Sequence, residues 1–318
     1  MGKKMSLSSA KSVAITEVGP RDGLQSEPVF VPSEQKIALV EALIRAGLKS
    51  FEVTSFVSPR AVPQMADAAE VVKGLRHHKD VELTTLVPNA RGAARAAEVG
   101  VDAMVMFLSA SESHNLKNLN RSRRSSLDGA VEIARIARAN GIRLQAAIST
   151  AFGCPFEGEV PVENVRNIAL ALREHGVTRF SLGDTTGMAT PTLVRERCRV
   201  LRAAVPDIEI ALHFHNTRGV GLVCAYVGLE EGITRFESSI GGLGGCPFVP
   251  GATGNISTED LVYMLEESGI ETGIDVGRLI EAAKLAEHAV GHALPGQVMK
   301  AGPRLRRYVM ADARTAKG

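Results

Sequence analysis

Arg21 and Asp22 stand side by side in Val18-Gly19-Pro20-Arg21-Asp22-Gly23-Leu24-Gln25, directly after an apolar run at 13–18. A guanidinium beside a carboxylate at a strand end is a poor packing choice. It is a good choice for holding a cation next to a developing anion. His213-Phe214-His215 closes a second apolar run, 208–212. Side chains two apart on a strand face the same way, so both imidazoles can turn toward one ion. An isolated HxH is more often one core histidine and one solvent-facing histidine; Asp22 at an equivalent strand end shifts the reading to a metal site. Asn255 follows Gly254 and precedes a capped helix, where its amide oxygen can complete the set. Two imidazoles, one carboxylate and one amide oxygen suit Mg²⁺, Mn²⁺ or Co²⁺ and do not exclude Zn²⁺.

Glu52 and Asp184 end two further strand-like runs. Inward acidic groups are costly unless paired, and Arg21 is the expected partner; the alternative is that either one caps the helix that follows. Asp184 can also orient a metal-bound imidazole from behind. In Gly241-Gly242-Leu243-Gly244-Gly245-Cys246-Pro247 the glycines allow movement or close backbone approach, and Cys246 is the one reactive side chain. Cys154, Cys198 and Cys224 read as structural. The remaining histidines, His77, His78, His114, His175, His288 and His292, show no partner pattern and read as surface residues.

These residues need a scaffold that brings distant strand ends together. Strand-like apolar runs fall at 13–18, 50–54, 81–87, 103–108, 142–149, 179–182, 209–214 and 235–240. Helical patterns lie between them. Ser33 is placed to cap a helix with Ile37, Val40, Leu43 and Ile44 on its apolar face, ending at Gly47. Thr190-Pro191 reads as an N-cap followed by proline at the first helical position, with the helix running toward Ala204. A third pattern covers 219–231 and stops at Gly232. Such alternation predicts a parallel sheet, and eight units in about 250 residues is the count of a (β/α)₈ TIM barrel. A doubly wound open sheet is the competitor, but no G-x-G-x-x-G follows the first run. Polar residues also follow nearly every run, which suits a single barrel mouth. Beyond 255 come extra C-terminal helices, one opened by the capping box Ser257-x-x-Asp260. Residues 1–12 read as a disordered leader, 13–300 as one barrel domain with its C-terminal helices, and 301–318 as a basic tail.

Composition narrows the function classes. Aromatics make up only 4% of the chain, so the core must rest on Ala, Val, Leu and Ile. A net charge of +2 is too small for bulk attraction to nucleic acid. No apolar run has the length of a membrane span, and the leader lacks the apolar segment of a secretory signal. The four cysteines show no close pairing, as expected of a reduced, cytoplasmic protein.

With those residues in view, the chain resembles the 3-hydroxy-3-methylglutaryl-CoA lyases, a metal-dependent barrel group that includes the isopropylmalate and homocitrate synthases. The resemblance covers roughly residues 13–270. It rests on the stretch from Glu17 to Gln25, Glu52-Val-Thr-Ser-Phe-Val-Ser-Pro59, Ser181-Leu-Gly-Asp184-Thr, His213-Phe-His215, Gly242-Leu-Gly-Gly-Cys-Pro247 and Gly251-Ala-Thr-Gly-Asn255. It implies metal ligands at Asp22, His213, His215 and Asn255, a catalytic Arg21 and a lid cysteine at Cys246. Glu52 and Asp184 match supporting acidic residues. The implied cofactor is a divalent cation, Mg²⁺ or Mn²⁺. The implied partners are an acyl-CoA substrate and further copies of the chain, in a dimer or larger, with no nucleic acid and no membrane.

The implied reaction is a retro-Claisen cleavage of 3-hydroxy-3-methylglutaryl-CoA to acetyl-CoA and acetoacetate, a carbon–carbon lyase step of leucine degradation and ketone-body formation. The base stays open between His213 and an acidic neighbour such as Asp22, and the proton donor between Cys246 and a metal-bound water. Alternatives are a lyase for a related 3-hydroxyacyl-CoA and a Claisen-type acyltransferase like the two synthases, which usually carry Glu where this chain has Leu24. Three positions depart from the family pattern: Phe214 replaces a small residue, Asn216 an Asp, and Arg218 an aromatic. Arg218, near the expected mouth, bears on which acyl group is accepted.

Overall fold

The computed structural model describes residues 11–245 and 253–307. Eight parallel strands close into a barrel in chain order: β1 (Ala14–Glu17), β2 (Ser50–Ser55), β3 (Glu82–Leu86), β4 (Ala103–Ser109), β5 (Arg143–Ser149), β6 (Arg179–Asp184), β7 (Glu209–Phe214) and β8 (Arg235–Ser238), the last pairing with β1. Every expected run is a strand, its ends displaced by no more than two residues. Helices connect them: α1 (Ser33–Ala46), α2 (Ala68–Leu75), α3 (Ala90–Val99), α4 (Glu112–Leu119), α5 (Arg123–Ala139), α6 (Val162–Arg173), α7 (Pro191–Ala204) and α8 (Gly221–Glu230). After β8 come α9 (Thr258–Glu267), α10 (Val276–Val290) and α11 (Val298–Ala301). This is a TIM barrel with added C-terminal helices. Helix α10 lies against α1, tied by the Asp275 amide on the Ala46 carbonyl at 2.8 Å. No described helix is long and apolar enough to cross a membrane.

Local signals act mostly as expected. Thr190 caps α7 by accepting from the Leu193 amide, and Gly47 ends α1 in the left-handed conformation. Two caps differ. Ser33 is the first residue of α1, not its cap, and its hydroxyl donates to Asp67 and Glu70 instead. Ser257 does accept from the Asp260 amide, but Asp260 does not reach back. Its carboxylate accepts from the amides of Gln297 and Val298 and so holds the start of α11. A tertiary demand for a cap on α11 outweighs the local one.

The pleat splits each strand into two environments. Phe51, Val53, Leu83, Met104, Phe180, Leu182, Leu212, Phe214 and Phe236 are buried in the apolar layer between sheet and helices. The aliphatic core expected from composition is this layer, with a few Phe and Met added. The opposite parity faces the barrel axis and is polar. At its N-terminal end Glu82 pairs with Arg179 at 3.0 Å and Arg143 at 3.1 Å, and Glu209 pairs with Arg179 at 2.7 Å and Arg235 at 3.2 Å. Pairing is what makes charge tolerable there. That ionic floor leaves the C-terminal mouth free to carry the site.

Candidate metal centre and active site

The Arg21-Asp22 pair is presented by a short π-helical turn, Gly19–Gly23, that follows β1. The Val18 carbonyl serves three amides, those of Arg21, Asp22 and Gly23, at 3.1, 2.7 and 3.3 Å. Such a tight turn throws both side chains over the barrel end. Gly23 is required by close approach: a Cβ there would stand 2.8 Å from Leu243 Cβ. Glu17 locks the turn from below. Its buried carboxylate accepts from the amides of Gly19 at 2.7 Å and Ile240 at 2.8 Å and from the Thr258 hydroxyl at 2.6 Å. Burial pushes this carboxyl up to about 7.

Asp22, His213 and His215 converge. Nε2 of each imidazole lies 3.8 Å from Asp22 Oδ2, and the two rings are 5.3 Å apart between centroids. The separation of one strand residue does what the HxH spacing suggested: Phe214, between them, packs outward against Phe152 at 5.5 Å. Asn255 pairs with His215 in an isolated antiparallel bridge. Its Nδ2 donates to Asp22 Oδ2 at 2.8 Å and to the Leu243 carbonyl at 3.0 Å. Both donor hydrogens are therefore used, and Asn255 Oδ1 is left buried without a partner among the described residues.

An orphaned buried amide oxygen beside a carboxylate and two imidazole nitrogens fits a divalent cation. Electrostatics agree. Burial opposes the charged form of Asp22, yet Arg21, His213 and His215 hold its carboxyl well below the usual carboxylate range. Burial, helped by its neighbour His213, lowers His215 to about 4, leaving it a neutral donor. For His213 burial is outweighed by the Glu237 hydrogen bond and Asp22, and its pKa is raised.

Arg21 is fixed next to this cluster. Its Nη1 donates to Asp22 Oδ1 at 2.5 Å and its Nε to Glu52 Oε1. Burial alone would weaken its hold on the proton, but Glu52, Asp22 and Glu237 outweigh it and the pKa rises. Burial likewise raises Glu52, against the pull of Arg21. Of the residues expected at the site, the fold thus brings together Arg21, Asp22, Glu52, His213, His215 and Asn255. Asp184 does not join Arg21. It shares strand parity with Phe180 and Leu182, which face the helices, and its Oδ1 accepts from the amides of Met188 at 2.6 Å and Ala189 at 3.0 Å ahead of α7. Burial raises it to about 6. Cys246 lies outside the described residues.

Three features escaped the sequence reading. Glu237, on β8, is directly opposite His213 in register, and its Oε2 is 3.0 Å from His213 Nδ1. An acid at the inward parity of 235–240 was its only signal. Glu17 was quoted in the motif without a role. His114 is buried, not on the surface, with Nδ1 2.6 Å from Ser109 Oγ; burial lowers it to about 4. Among the other histidines, His292 pairs with Glu27 at 2.7 Å. Cys154, Cys198 and Cys224 are free thiols and buried, as expected of structural cysteines. Arg218 is exposed, its Nη1 anchored on the carbonyls of Thr186 at 2.9 Å and Gly187 at 2.8 Å.

Comparison with known proteins gives a consistent answer. Residues 12–286 match the HMGL-like family model. The chain is 46% identical to hydroxymethylglutaryl-CoA lyase YngG of Bacillus subtilis, over 90% of this chain and 96% of that one. It is 42% identical to the (R)-citramalyl-CoA lyase of Chloroflexus aurantiacus, over 92% and 96%. A solved HMG-CoA lyase from Acinetobacter baumannii, in complex with coenzyme A and 3-methylmalate, superposes with a TM-score of 0.90 at 40% identity, covering 98% of this chain and 100% of that one. A barrel of this topology with this match along most of its length belongs to the HMGL-like family.

Proposed function

We propose that the chain is a hydroxymethylglutaryl-CoA lyase, a divalent-cation-dependent carbon–carbon lyase that cleaves 3-hydroxy-3-methylglutaryl-CoA to acetyl-CoA and acetoacetate. The observation that carries this is the donor set of half-buried Asp22 and His213 with buried His215 and Asn255, beside a guanidinium immobilised by Glu52 and Asp22. The names of its relatives supply the substrate class. Mg²⁺ or Mn²⁺ is the proposed ion, since the donor set holds no thiolate. The proposed setting is the cytoplasm and the proposed assembly a dimer or larger.

A cation held by these four residues would supply Lewis acidity that eases transfer of the substrate's tertiary hydroxyl proton to a base, which stays open between His213 and an acidic neighbour such as Asp22. The electron pair left on that oxygen forms the ketone of acetoacetate. The carbon–carbon bond breaks and its pair passes to the acetyl fragment as a thioester enolate. Arg21 answers the charge on the enolate oxygen. Its fork is fixed before the reaction, so no reorganisation is needed as charge appears. A proton then returns to the enolate carbon; Cys246 is the proposed donor on the sequence reading.

The test is direct. Enzyme given 3-hydroxy-3-methylglutaryl-CoA with Mg²⁺ should release acetoacetate, and EDTA should stop it. No acetoacetate from the metal-supplied enzyme removes the proposal. A citramalyl-CoA arm belongs in the same panel, because a relative 42% identical is an (R)-citramalyl-CoA lyase and Arg218 gives this chain a cationic group near the mouth. The synthase reading is tested by offering acyl-CoA with a 2-oxo acid and measuring free CoA. Against it, Leu24 is buried in the apolar core where those synthases usually place a Glu.

A further inference from the structure

The two histidines of the centre are not held alike. Nε2 of both faces Asp22, but their far nitrogens differ. His215 Nδ1 is buried without a partner among the described residues, whereas His213 Nδ1 meets Glu237 Oε2 at 3.0 Å. That same Oε2 accepts from the Ser181 hydroxyl at 2.8 Å. Ser181, His213 and Glu237 come from three consecutive strands, β6, β7 and β8, and all face the axis. Glu237 is therefore gripped from one side by β6 and grips β7 on the other.

We propose that Glu237 is a positioning residue of the metal centre, which, steadied by Ser181, fixes the tautomer and ring plane of His213 so that Nε2 presents its lone pair to the cation. The chemistry is that of a carboxylate behind a metal-binding imidazole. A cation on Nε2 would leave the imidazole proton on Nδ1, and the Glu237 carboxylate stands 3.0 Å from Nδ1, where it can accept that proton's hydrogen bond. The hydrogen bond also raises the basicity of the ligand. His215 has no such partner among the described residues; its orientation comes from the strand and from the bridge to Asn255. Of the two imidazoles, His213 is the one whose ligation depends on a second side chain. With both its nitrogens committed, His213 is a ligand in the cation-loaded enzyme and not a free base.

This inference rests on the metal site under Proposed function, and the experiment separates the two. Mn²⁺ affinity is measured by calorimetry for the wild type, Glu237→Gln, Ser181→Ala, His213→Ala and the double variant of Glu237→Gln with His213→Ala. A wild type that binds no Mn²⁺ overturns the metal site itself. If it binds, Glu237→Gln should weaken it about 10- to 100-fold, and Ser181→Ala should weaken it less but in the same direction. The two large changes should not add, because Glu237 acts through His213. Independently of metal, imidazole nitrogen NMR of the cation-free wild type in alkaline buffer should show the proton on His213 Nδ1, and Glu237→Gln should lose that preference. Wild-type affinity and an unchanged tautomer in Glu237→Gln would overturn the proposal, as would full additivity. If Glu237→Gln does not fold, an unaltered Mn²⁺ affinity and tautomer in Ser181→Ala does so.

Discussion

Asn255 and Asp22 are 233 residues apart in the chain and 2.8 Å apart in the fold, with Asn255 Nδ2 donating to Asp22 Oδ2. The bond does two things. It orients a carboxylate already held by Arg21, and by using the amide nitrogen it leaves Asn255 Oδ1 a buried acceptor without a partner among the described residues. Asp22→Asn should therefore lose more than a ligand, since an amide cannot serve Asn255 and Arg21 as the carboxylate does. Its Mn²⁺ affinity should fall by at least about 10-fold, a loss that removing a mere outer partner can reach. Undiminished Mn²⁺ binding in a titration of this variant would move the metal elsewhere.

Arg21→Lys tests the fixed fork. Lysine keeps the charge but offers a flexible point donor in place of two bonds in one plane. Turnover should drop about 10²- to 10³-fold, the usual loss for a preorganised donor at a developing oxyanion. Mn²⁺ affinity should hold. Steady-state rates beside a metal titration decide it, and a variant that loses both together would make Arg21 part of the cation site instead.

The pH dependence of stability follows from buried carboxyls. Glu259 accepts from the Gly241 amide at 3.0 Å and is raised to about 7, chiefly by burial. The folded state keeps this proton better than the unfolded chain does. Its stabilising contribution is thus complete below about pH 4.5 and is lost as pH rises through about 7; a rise of that size corresponds to roughly 3 kcal/mol. Glu17 is raised to the same level for the same first cause. Glu259→Gln should therefore flatten, but not abolish, the fall in melting temperature between about pH 5 and pH 8. An identical fall in the variant would mean that Glu259 is not proton-linked to folding.

Phe214 separates His213 and His215 and faces the opposite way, fully buried against Phe152. Phe214→Ala should cost about 3–5 kcal/mol in denaturant unfolding, while Mn²⁺ affinity at low temperature stays within a few-fold. The two faces of β7 have separate duties. Equal damage to both readouts would show them to be coupled.

The three thiols among the described residues are all buried. Cys154, Cys198 and Cys224 are enclosed, and burial pushes Cys198 and Cys224 up to about 12. None of the three should react quickly with a thiol reagent in the native enzyme. Peptide mapping should place the fast label on Cys246, with substrate slowing it. Cys246→Ala should lower turnover and spare metal binding. Full turnover in that variant, with label on Cys154, would end the proposed role of Cys246.

Much of this protein was legible along the chain. Strand positions followed from apolar runs bounded by polar residues, because the pleat and the helical repeat impose periods that a sequence carries directly. The convergence of His213 and His215 was legible for the same reason: a spacing of two on a strand is a statement about geometry. Asn255, Asp22 and Arg21 were legible as types placed where packing does not want them. What the chain could not disclose was pairing across strands. Glu237 serves His213 only because β7 and β8 lie in a register that sets 213 against 237, and register is fixed by closure of the whole barrel. Asp184 looked like a partner for Arg21, yet its parity turns it toward the amides before α7. His114 looked exposed, yet it lies on the buried face of α4, with its ring against Ser109. Local periodicity is written residue by residue, whereas the choice of partner across the barrel axis depends on where distant strands come to rest, and that is decided only when the sheet closes.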